Sequence, residues 1–260
     1  MIDIHSHVLF GVDDGSKDIK QSINMIKEAI NAGFDTKCVT PHYLEPYFKN
    51  KKRENDNELG KLQEELIKQD IKINLILSNE VYITTNVKEL LEFEKISTIG
   101  DSKYLLIEFP MNHEIKYVKD MLIEIRDLGY KIIIAHPERY SYVQKDISYL
   151  NDFLDMGIIF QCNYGSIIGK YGMAAKSTIK KLLKRKMVQC FGTDSHRDMS
   201  TYNDMKKILK KIEKVAGTDY YNIIINENPA HIIKDEDVIV LEYLKKWLIL
   251  VIKEFWNILI

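Results

Sequence analysis

Five of the seven histidines in this 260-residue chain stand directly after short apolar, β-branched runs: His5 and His7 in His5-Ser6-His7, His42 after Pro41, His136, and His196 in Asp194-Ser195-His196. Glu80 and Glu108 close two further runs, and Asp14 follows the first run inside Asp13-Asp14-Gly15. Imidazoles and carboxylates without sulfur form a donor set that suits Mn, Fe or Zn better than copper(I) or an iron-sulfur cluster. His5 and His7 lie two apart on an extended segment, so their side chains share a face and reach one cation. The nine candidates His5, His7, Asp14, His42, Glu80, Glu108, His136, Asp194 and His196 exceed what one ion needs. Two or three divalent cations sharing a carboxylate would use them all, and such clusters hold a phosphate and activate a water. A single histidine after a strand is more often a packed structural residue than a ligand. Five of seven at such positions is a pattern that independent placement seldom produces.

Donors this far apart in sequence meet only if the elements before them converge. The apolar runs cover residues 1–4, 37–40, 73–77, 104–107, 131–135, 158–161 and 188–191, each short enough for a buried strand. Between them, apolar residues recur at helical spacing, as in Ile19, Ile23, Ile26 and Ile30, or Val118, Met121, Leu122 and Ile125. Gly33, Gly129 and Gly157 stand where a helix would stop before the next strand. Ser16 reads as the N-cap of the first helix, and Asn228-Pro229 breaks the chain before its tail. Strand and helix in alternation predict a mainly parallel α/β sheet, and about seven units point to a barrel whose strand C-terminal ends open onto one face. That face collects the donors. With no Gly/Ser-rich or Pro-rich linker, residues 1–237 read as one domain, followed by an apolar tail over 238–260.

Composition narrows the chemistry further. Lys and Arg number 37 against 38 Asp and Glu, so the formal net charge is -1 and the basic field that nucleic-acid binding rests on is absent. No nucleic-acid partner is expected. Cys38, Cys162 and Cys190 form no CxxC pair and read as small buried hydrophobes in strands, in a reducing cytoplasm. The sixth residue after each is Leu44, Ile168 or His196, which excludes the Cys-x5-Arg chemistry of cysteine-based phosphatases. There is no GxSxG elbow and no GxxxxGK[ST] or GxGxxG phosphate loop. The start MIDIHSHV lacks the basic and long apolar segments of an exported leader, which also favours the cytoplasm. In the tail, Leu241, Leu244, Leu248, Val251, Phe255 and Leu259 recur at helical spacing. They predict an amphipathic helix packed on the barrel or on a second subunit. Peripheral membrane contact through Trp247, Trp256 and the lysines is the sharper alternative.

The segments Asp3-Ile4-His5-Ser6-His7, Asp13-Asp14-Gly15, Thr40-Pro41-His42, Ala135-His136-Pro137-Glu138-Arg139-Tyr140 and Thr193-Asp194-Ser195-His196, with the strand-end glutamates, resemble the PHP (polymerase and histidinol phosphatase) superfamily. Within it the likeness is to the bacterial capsule-regulating protein-tyrosine phosphatases, from Met1 to about Pro229. The resemblance implies a distorted (β/α)7 barrel, the PHP fold, with a trinuclear and usually Mn-dependent site. It also implies a substrate, the phosphotyrosine tail of a membrane-linked bacterial tyrosine autokinase that controls polysaccharide export. Carried over by position, His5, His7, Glu80 and Asp194 would hold one cation, Glu80, Glu108 and His136 a second, and Asp14, His42 and His196 a third, with Glu80 as the bridge. Arg139 matches the phosphate-gripping arginine, whose planar guanidinium suits bidentate contact. A surface salt bridge to Glu138 is its bland alternative. The second arginine that such proteins carry several residues past the last histidine is missing, and Arg197 is the candidate for that substrate-binding role. His42 or His196 would assist the departing phenol, whose pKa of about 10 makes it a ready leaving group.

Other readings stay open at this level. One is a small-molecule phosphatase, such as histidinol-phosphate phosphatase, on the same metal site. Another is a metal-stabilised binding module without turnover, although a purely structural site needs fewer ligands. A nuclease of the same superfamily is weakened by the net charge. The aromatic and basic stretch from Tyr43 to Glu54 reads as a solvated helix start, with a peptide-receiving loop as the sharper alternative.

Overall fold

Runs such as Tyr104–Ile107 and Lys131–Ala135 carry apolar side chains on both faces and are stable only between two apolar layers. In the computed structural model, which describes residues 1–197 and 199–242, they are central strands of a parallel sheet. Nine strands lie among the described residues: β1 (Ile2–Asp3), β2 (Thr36–Val39), β3 (His42–Tyr43), β4 (Asn74–Leu77), β5 (Glu80–Tyr82), β6 (Tyr104–Glu108), β7 (Lys131–Ala135), β8 (Ile159–Asn163) and β9 (Cys190–Gly192). They pair in the orders β1-β2-β4 and β3-β5-β6-β7-β8-β9, always parallel.

Two of the expected strands are each followed, after a break at Thr40-Pro41 or at Ser78-Asn79, by a further short strand, β3 or β5. Pro41 has no amide hydrogen to give to a ladder. Its carbonyl accepts from Glu80 N (3.1 Å) and Asn79 Nδ2 (3.0 Å), so the two breaks sit side by side. At the other end of the strand order, His7 N donates to Ser195 O (3.0 Å) and Asp194 N to His5 O (2.9 Å). These bonds bring the chain beyond β9 against the chain beyond β1, and the sheet curls.

Helices cover the outside, among them Ile19–Asn31, Lys52–Lys68, Val118–Asp127, Gly172–Lys184 and Met205–Ala216. The first is capped by Asp18, not by the expected Ser16: Asp18 Oδ1 accepts from Gln21 N (2.9 Å), while Ser16 Oγ is turned to Asp18 O. Gly33, Gly129 and Gly157 have φ of +98°, +89° and +74°, the left-handed helix ends read from the sequence.

Alternation along the strands divides the core. Leu105, Ile107, Ile132, Ile134, Phe160 and Cys162 pack towards the helices, whereas Tyr104, Leu106, Ile133, Ala135 and Ile159 join Ile4, Cys38 and Cys190 inside the curl. Glu108 continues the inward side of Tyr104 and Leu106, and Gln161 and Asn163 that of Ile159. The period of two thus delivers polar side chains to the mouth of the curl. All three cysteines are free and fully buried on β2, β8 and β9.

The tail does not become helical at Val238. Through Glu242 the described chain is irregular, and the Asn228 side chain clamps Ile239 by accepting from its N (2.7 Å) and donating to its O (3.0 Å). From 243 onward the expected amphipathic helix lies outside the described residues. No helix among the described residues is long and apolar enough to cross a membrane.

Candidate metal centre

The curl gathers the five strand-end histidines. Ring centroids of His7 and His196 are 4.0 Å apart, those of His7 and His42 4.4 Å, and those of His5 and His136 5.6 Å. Glu80, the first residue of β5, lies fully buried among them. Its Oε1 is 2.8 Å from His136 Nε2, and its Oε2 is 3.1 Å from His5 Nε2, 3.2 Å from His7 Nε2 and 3.0 Å from His42 Nδ1. Asp194 Oδ1 lies 3.6 Å from His5 Nε2, 3.5 Å from His7 Nε2 and 3.6 Å from His196 Nδ1. Asp14 Oδ1 approaches His196 Nε2 (3.3 Å) and His42 Nε2 (3.6 Å), and Glu108 Oε1 approaches His136 Nε2 (3.7 Å). His136 and Asp194, just beyond β7 and β9, have φ of +35° and +48°. Non-glycine residues hold that conformation only where surrounding contacts enforce it, at a cost on the order of 1–3 kcal/mol each.

Outer partners decide which ring nitrogens are bare. His5 Nδ1 faces Gln161 Oε1 at 2.8 Å, an atom that only accepts, so Nδ1 carries the hydrogen. That amide orientation is set by a chain: Gln161 Nε2 donates to Asn163 Oδ1 (2.9 Å), and Asn163 Nδ2 to Asp194 Oδ2 (2.7 Å). His7 Nδ1 faces the Asp13 carboxylate at 2.8 Å in the same way. In the neutral rings, the Nε2 atoms of His5 and His7 then point lone pairs at each other across 3.0 Å. Glu80 Oε2, buried beside them, makes no well-angled hydrogen bond. A positive charge placed among these atoms satisfies all of them, so the residues fit a divalent cation whose ligands are oriented from behind.

Asp13 and Gln161 were not among the expected site residues, yet each had a signal. Asp13 adjoins Asp14, and Gln161 shares a strand side with Asn163. Asp13 also accepts from Gly15 N (2.8 Å) and His42 N (3.0 Å). Asp13→Asn keeps an acceptor for those amides and removes the charge behind His7. Cation affinity, measured by equilibrium dialysis, is expected to fall about 10–100-fold; an unchanged affinity would remove Asp13 from this role.

In the absence of a cation, protons do its work. Burial disfavours charge on His5 and His7, but Glu80 and Asp194 around His5, and Asp13 beside His7, outweigh it and raise both pKa values above 6.5. Burial likewise opposes charge on Glu80 and Asp194, yet His5 with His42 holds Glu80, and His5 with His7 holds Asp194, below the carboxylate range. Burial and the neighbouring Glu80 charge push Glu108 up to about 9, and burial with Arg139 lowers His136 to about 4. A group whose pKa is raised by folding stabilises fully below its unfolded pKa, and that contribution disappears as pH rises through the folded value. His5, His7 and Glu108 all carry this sign. The metal-free protein is therefore expected to lose thermal stability between about pH 6.5 and 9, by about 2–4 °C for each kcal/mol. Saturating Mn should flatten the dependence. Melting curves in chelator across this interval check it, and a rising metal-free Tm would contradict the raised pKa values of His5 and His7.

Arg139 ends a short turn, Pro137–Arg139, that leads away from His136. Its Nη1 donates to Asp194 Oδ2 (2.6 Å), and its guanidinium lies 4.5 Å from the Tyr171 ring centroid. With Lys170, Tyr171, Asp194 and His196 it lines a cleft of about 160 Å³ beside the cation cluster. The alternative of a surface pair with Glu138 fails, because that carboxylate is buried and accepts from Asn163 N (2.9 Å) and Ser166 Oγ (2.6 Å). Arg197 is not brought to the cleft. It is exposed, and its Nε donates to Gly15 O (2.9 Å), which ties down the loop carrying Asp13 and Asp14. Lys170 and Tyr171 were not among the expected site residues; they sit in a loop after β8 and belong to no motif. In the stretch after His42, Phe48 stacks on the His42 ring at 5.6 Å, Tyr47 is exposed, and a helix starts at Lys52.

Fold and site together define a class: parallel α/β proteins that assemble histidines and carboxylates into a cation centre at the C-terminal ends of a curled sheet. Residues 1–234 match the family described as capsular polysaccharide synthesis, CpsB/CapC, and the chain belongs to that family. It is 29% identical over 238 residues to the tyrosine-protein phosphatase YwqE of Bacillus subtilis, covering 92% of this chain and 93% of that one. It is also 29% identical to the tyrosine-protein phosphatase CpsB of Streptococcus pneumoniae, covering 91% and 99%. A solved structure from work on YwqE and CpsB, described as unique metal-dependent tyrosine phosphatases, superposes with a TM-score of 0.88 at 28% identity, over 95% of this chain and 100% of that one.

Proposed function

We propose that this protein is a metal-dependent phosphatase of phosphotyrosine in protein, acting in the cytoplasm on the tail of a bacterial tyrosine autokinase in capsular or exopolysaccharide synthesis. The observation that carries the reading is the convergence of the His5 and His7 Nε2 atoms on Glu80, beside a cleft walled by Arg139. His5, His7, Glu80 and Asp194 would hold one cation, and their ligand atoms all lie within 4.8 Å of one another. Glu80, Glu108 and His136 would hold a second. Asp14, His42 and His196, again within 4.8 Å together with His7, would hold a third. His42 stands between the last two groups, with Nδ1 towards Glu80 and Nε2 towards Asp14. The nitrogen and oxygen donors suit Mn. The seven strand positions obtained by joining β2 to β3 and β4 to β5 support a distorted (β/α)7 barrel.

Bound divalent cations supply charge neutralisation at the phosphoryl oxygens and lower the pKa of water towards neutrality. The chain's own residues do the rest. Arg139 presents a planar fork to the phosphoryl group, held in orientation by Asp194 and by the Tyr171 ring. His196 lines the same cleft and is better placed than His42 to hold a proton near the departing phenol oxygen. The surrounding burial of Glu80, His5 and His7 strengthens each electrostatic contact.

The test is phosphate release from a tyrosine-phosphorylated peptide, with added Mn and after chelation, beside histidinol phosphate and a single-stranded oligonucleotide. Metal-dependent turnover of the peptide is the expected result. Preference for histidinol phosphate would replace this reading with the small-molecule one, and full occupancy by metal without turnover of any substrate would reduce the site to a binding module.

A further inference from the structure

The register pairs between β6 and β7 end at Ile107 and Ile134, just short of Glu108 and His136. A side chain makes the next link between the two strands. The Tyr140 hydroxyl accepts from Phe109 N (2.9 Å) and donates to Ala135 O (2.7 Å). Phe109 follows Glu108 directly and Ala135 directly precedes His136, so the bridge grips the backbone beside both of these residues. We propose that Tyr140 is the positioning residue of the second cation site, its hydroxyl setting the spacing of Glu108 and His136; the proposal rests on the reading above that Glu80, Glu108 and His136 hold a cation.

Three features fit that role. Continued in the same register, Phe109 N would donate directly to Ala135 O. The hydroxyl stands between them instead and holds the strand ends apart by the width of one oxygen. Glu108 Oε1 and His136 Nε2 are accordingly 3.7 Å apart, too far for a hydrogen bond but within the span of two donors that each lie about 2.1 Å from one cation. Tyr140 is itself tightly held. It is fully buried, its ring stacks with those of Phe109 (5.9 Å, 16°) and Tyr142 (5.5 Å, 17°), and it meets the His136 ring edge-on at 5.8 Å and 75°. His136 has φ of +35°, a conformation that persists only where its surroundings enforce it. Arg139 N donates to His136 O (3.0 Å), so the turn that carries Tyr140 closes on the same residue. The bland alternative is a tyrosine that merely satisfies buried backbone groups. Tyr220 is such a residue: its hydroxyl accepts from Val188 N (2.9 Å) and donates to Val188 O (2.6 Å), ahead of β9 and at the opposite end of that strand from Asp194.

The experiment titrates the full chain, freed of metal, with Mn by calorimetry. It compares Tyr140→Phe, Tyr220→Phe, Glu108→Gln and the double variant of Tyr140→Phe with Glu108→Gln, with melting curves on the same samples. Each phenylalanine variant leaves a buried amide and carbonyl without their partner, and both are expected to lower Tm by about 2–12 °C. Only Tyr140→Phe is expected to weaken one Mn site, about tenfold, with the remaining affinity within about twofold of the parent protein. Added to Glu108→Gln it should weaken Mn binding no further, because the site through which it acts is already lost. Mn affinities of Tyr140→Phe all within about twofold of the parent would overturn the assignment. So would an equal weakening in Tyr220→Phe, or a further tenfold loss on top of Glu108→Gln. A parent protein that binds no Mn would overturn this assignment together with the cation reading. Mn binding that follows the expected pattern, in a protein that releases no phosphate from the phosphotyrosine peptide, would sink the phosphatase reading and leave this assignment standing.

Discussion

Glu80→Gln is expected to lower turnover at least about 10³-fold and to leave the protein unable to retain added divalent cation after dialysis. The substitution keeps volume and removes one charge from the point where four imidazoles meet. His5, His7, His42 and His136 all approach the Glu80 carboxylate within 3.2 Å, and among the described residues no other carboxylate touches all four. Losing that charge removes the counter-ion for any cation held by His5 and His7. It also removes the nearest carboxylate that raises the His5 pKa against the effect of burial, so stability is not spared either. Turnover with the phosphotyrosine peptide and metal per chain by elemental analysis are the two readouts. Retention of more than a tenth of the parent activity, with metal bound, would show that Glu80 is peripheral.

The second large effect is expected well away from substrate. Lys37, on β2, is fully buried and pairs with Asp3, its register partner on β1. Its Nζ also donates to Tyr202 OH (2.8 Å) and lies over the Phe34 and Tyr202 rings. Asp3 in turn accepts from Thr193 N (2.8 Å) and Thr193 Oγ1 (2.6 Å), and Ser195 Oγ meets Tyr202 OH at 2.5 Å. This network ties the first strand to the segment carrying Asp194 and His196. Lys37→Met leaves the Asp3 carboxylate buried without its cation, and such truncations cost about 3–5 kcal/mol. At about 2–4 °C for each kcal/mol, Tm should fall by roughly 6–20 °C. Adding Asp3→Asn should recover part of the loss, because two neutral partners leave no bare charge. A fall of less than about 1 kcal/mol in urea unfolding would mean that the pair is dispensable.

The candidate metal donors and their supporting partners differ in how far they could be read from the chain. The candidate donors stand at strand ends, at the breaks between paired strands or in the loop after β1, and the C-terminal ends of a parallel α/β sheet open onto one face. Local pattern was therefore sufficient to bring His5, His7, Asp14, His42, Glu80, Glu108, His136, Asp194 and His196 together. The αβ punctuation at Gly33, Gly129 and Gly157 and the burial of the three cysteines followed from the same periodicities. The N-cap at Asp18 and the non-helical start of the tail did not, because each is set by a competing side-chain hydrogen bond.

What only the tertiary structure decided lies in contacts between residues far apart in sequence. Gln161 selects the His5 tautomer across 156 positions, and Arg197 reaches Gly15 across 182. Arg139 meets Asp194 rather than its neighbour Glu138 because the latter is drawn inward by Asn163 and Ser166. Lys170 and Tyr171 reach the cleft only because Gly165 leaves space for them. Periodicity specifies which side of a strand or helix a residue takes, and so it placed the candidate donors on one face. Pairing depends on how tightly the sheet curls and which loops it brings together, and so the partners of the ring nitrogens, the Arg139–Asp194 contact and the buried Lys37–Asp3 pair were decided by the closed structure.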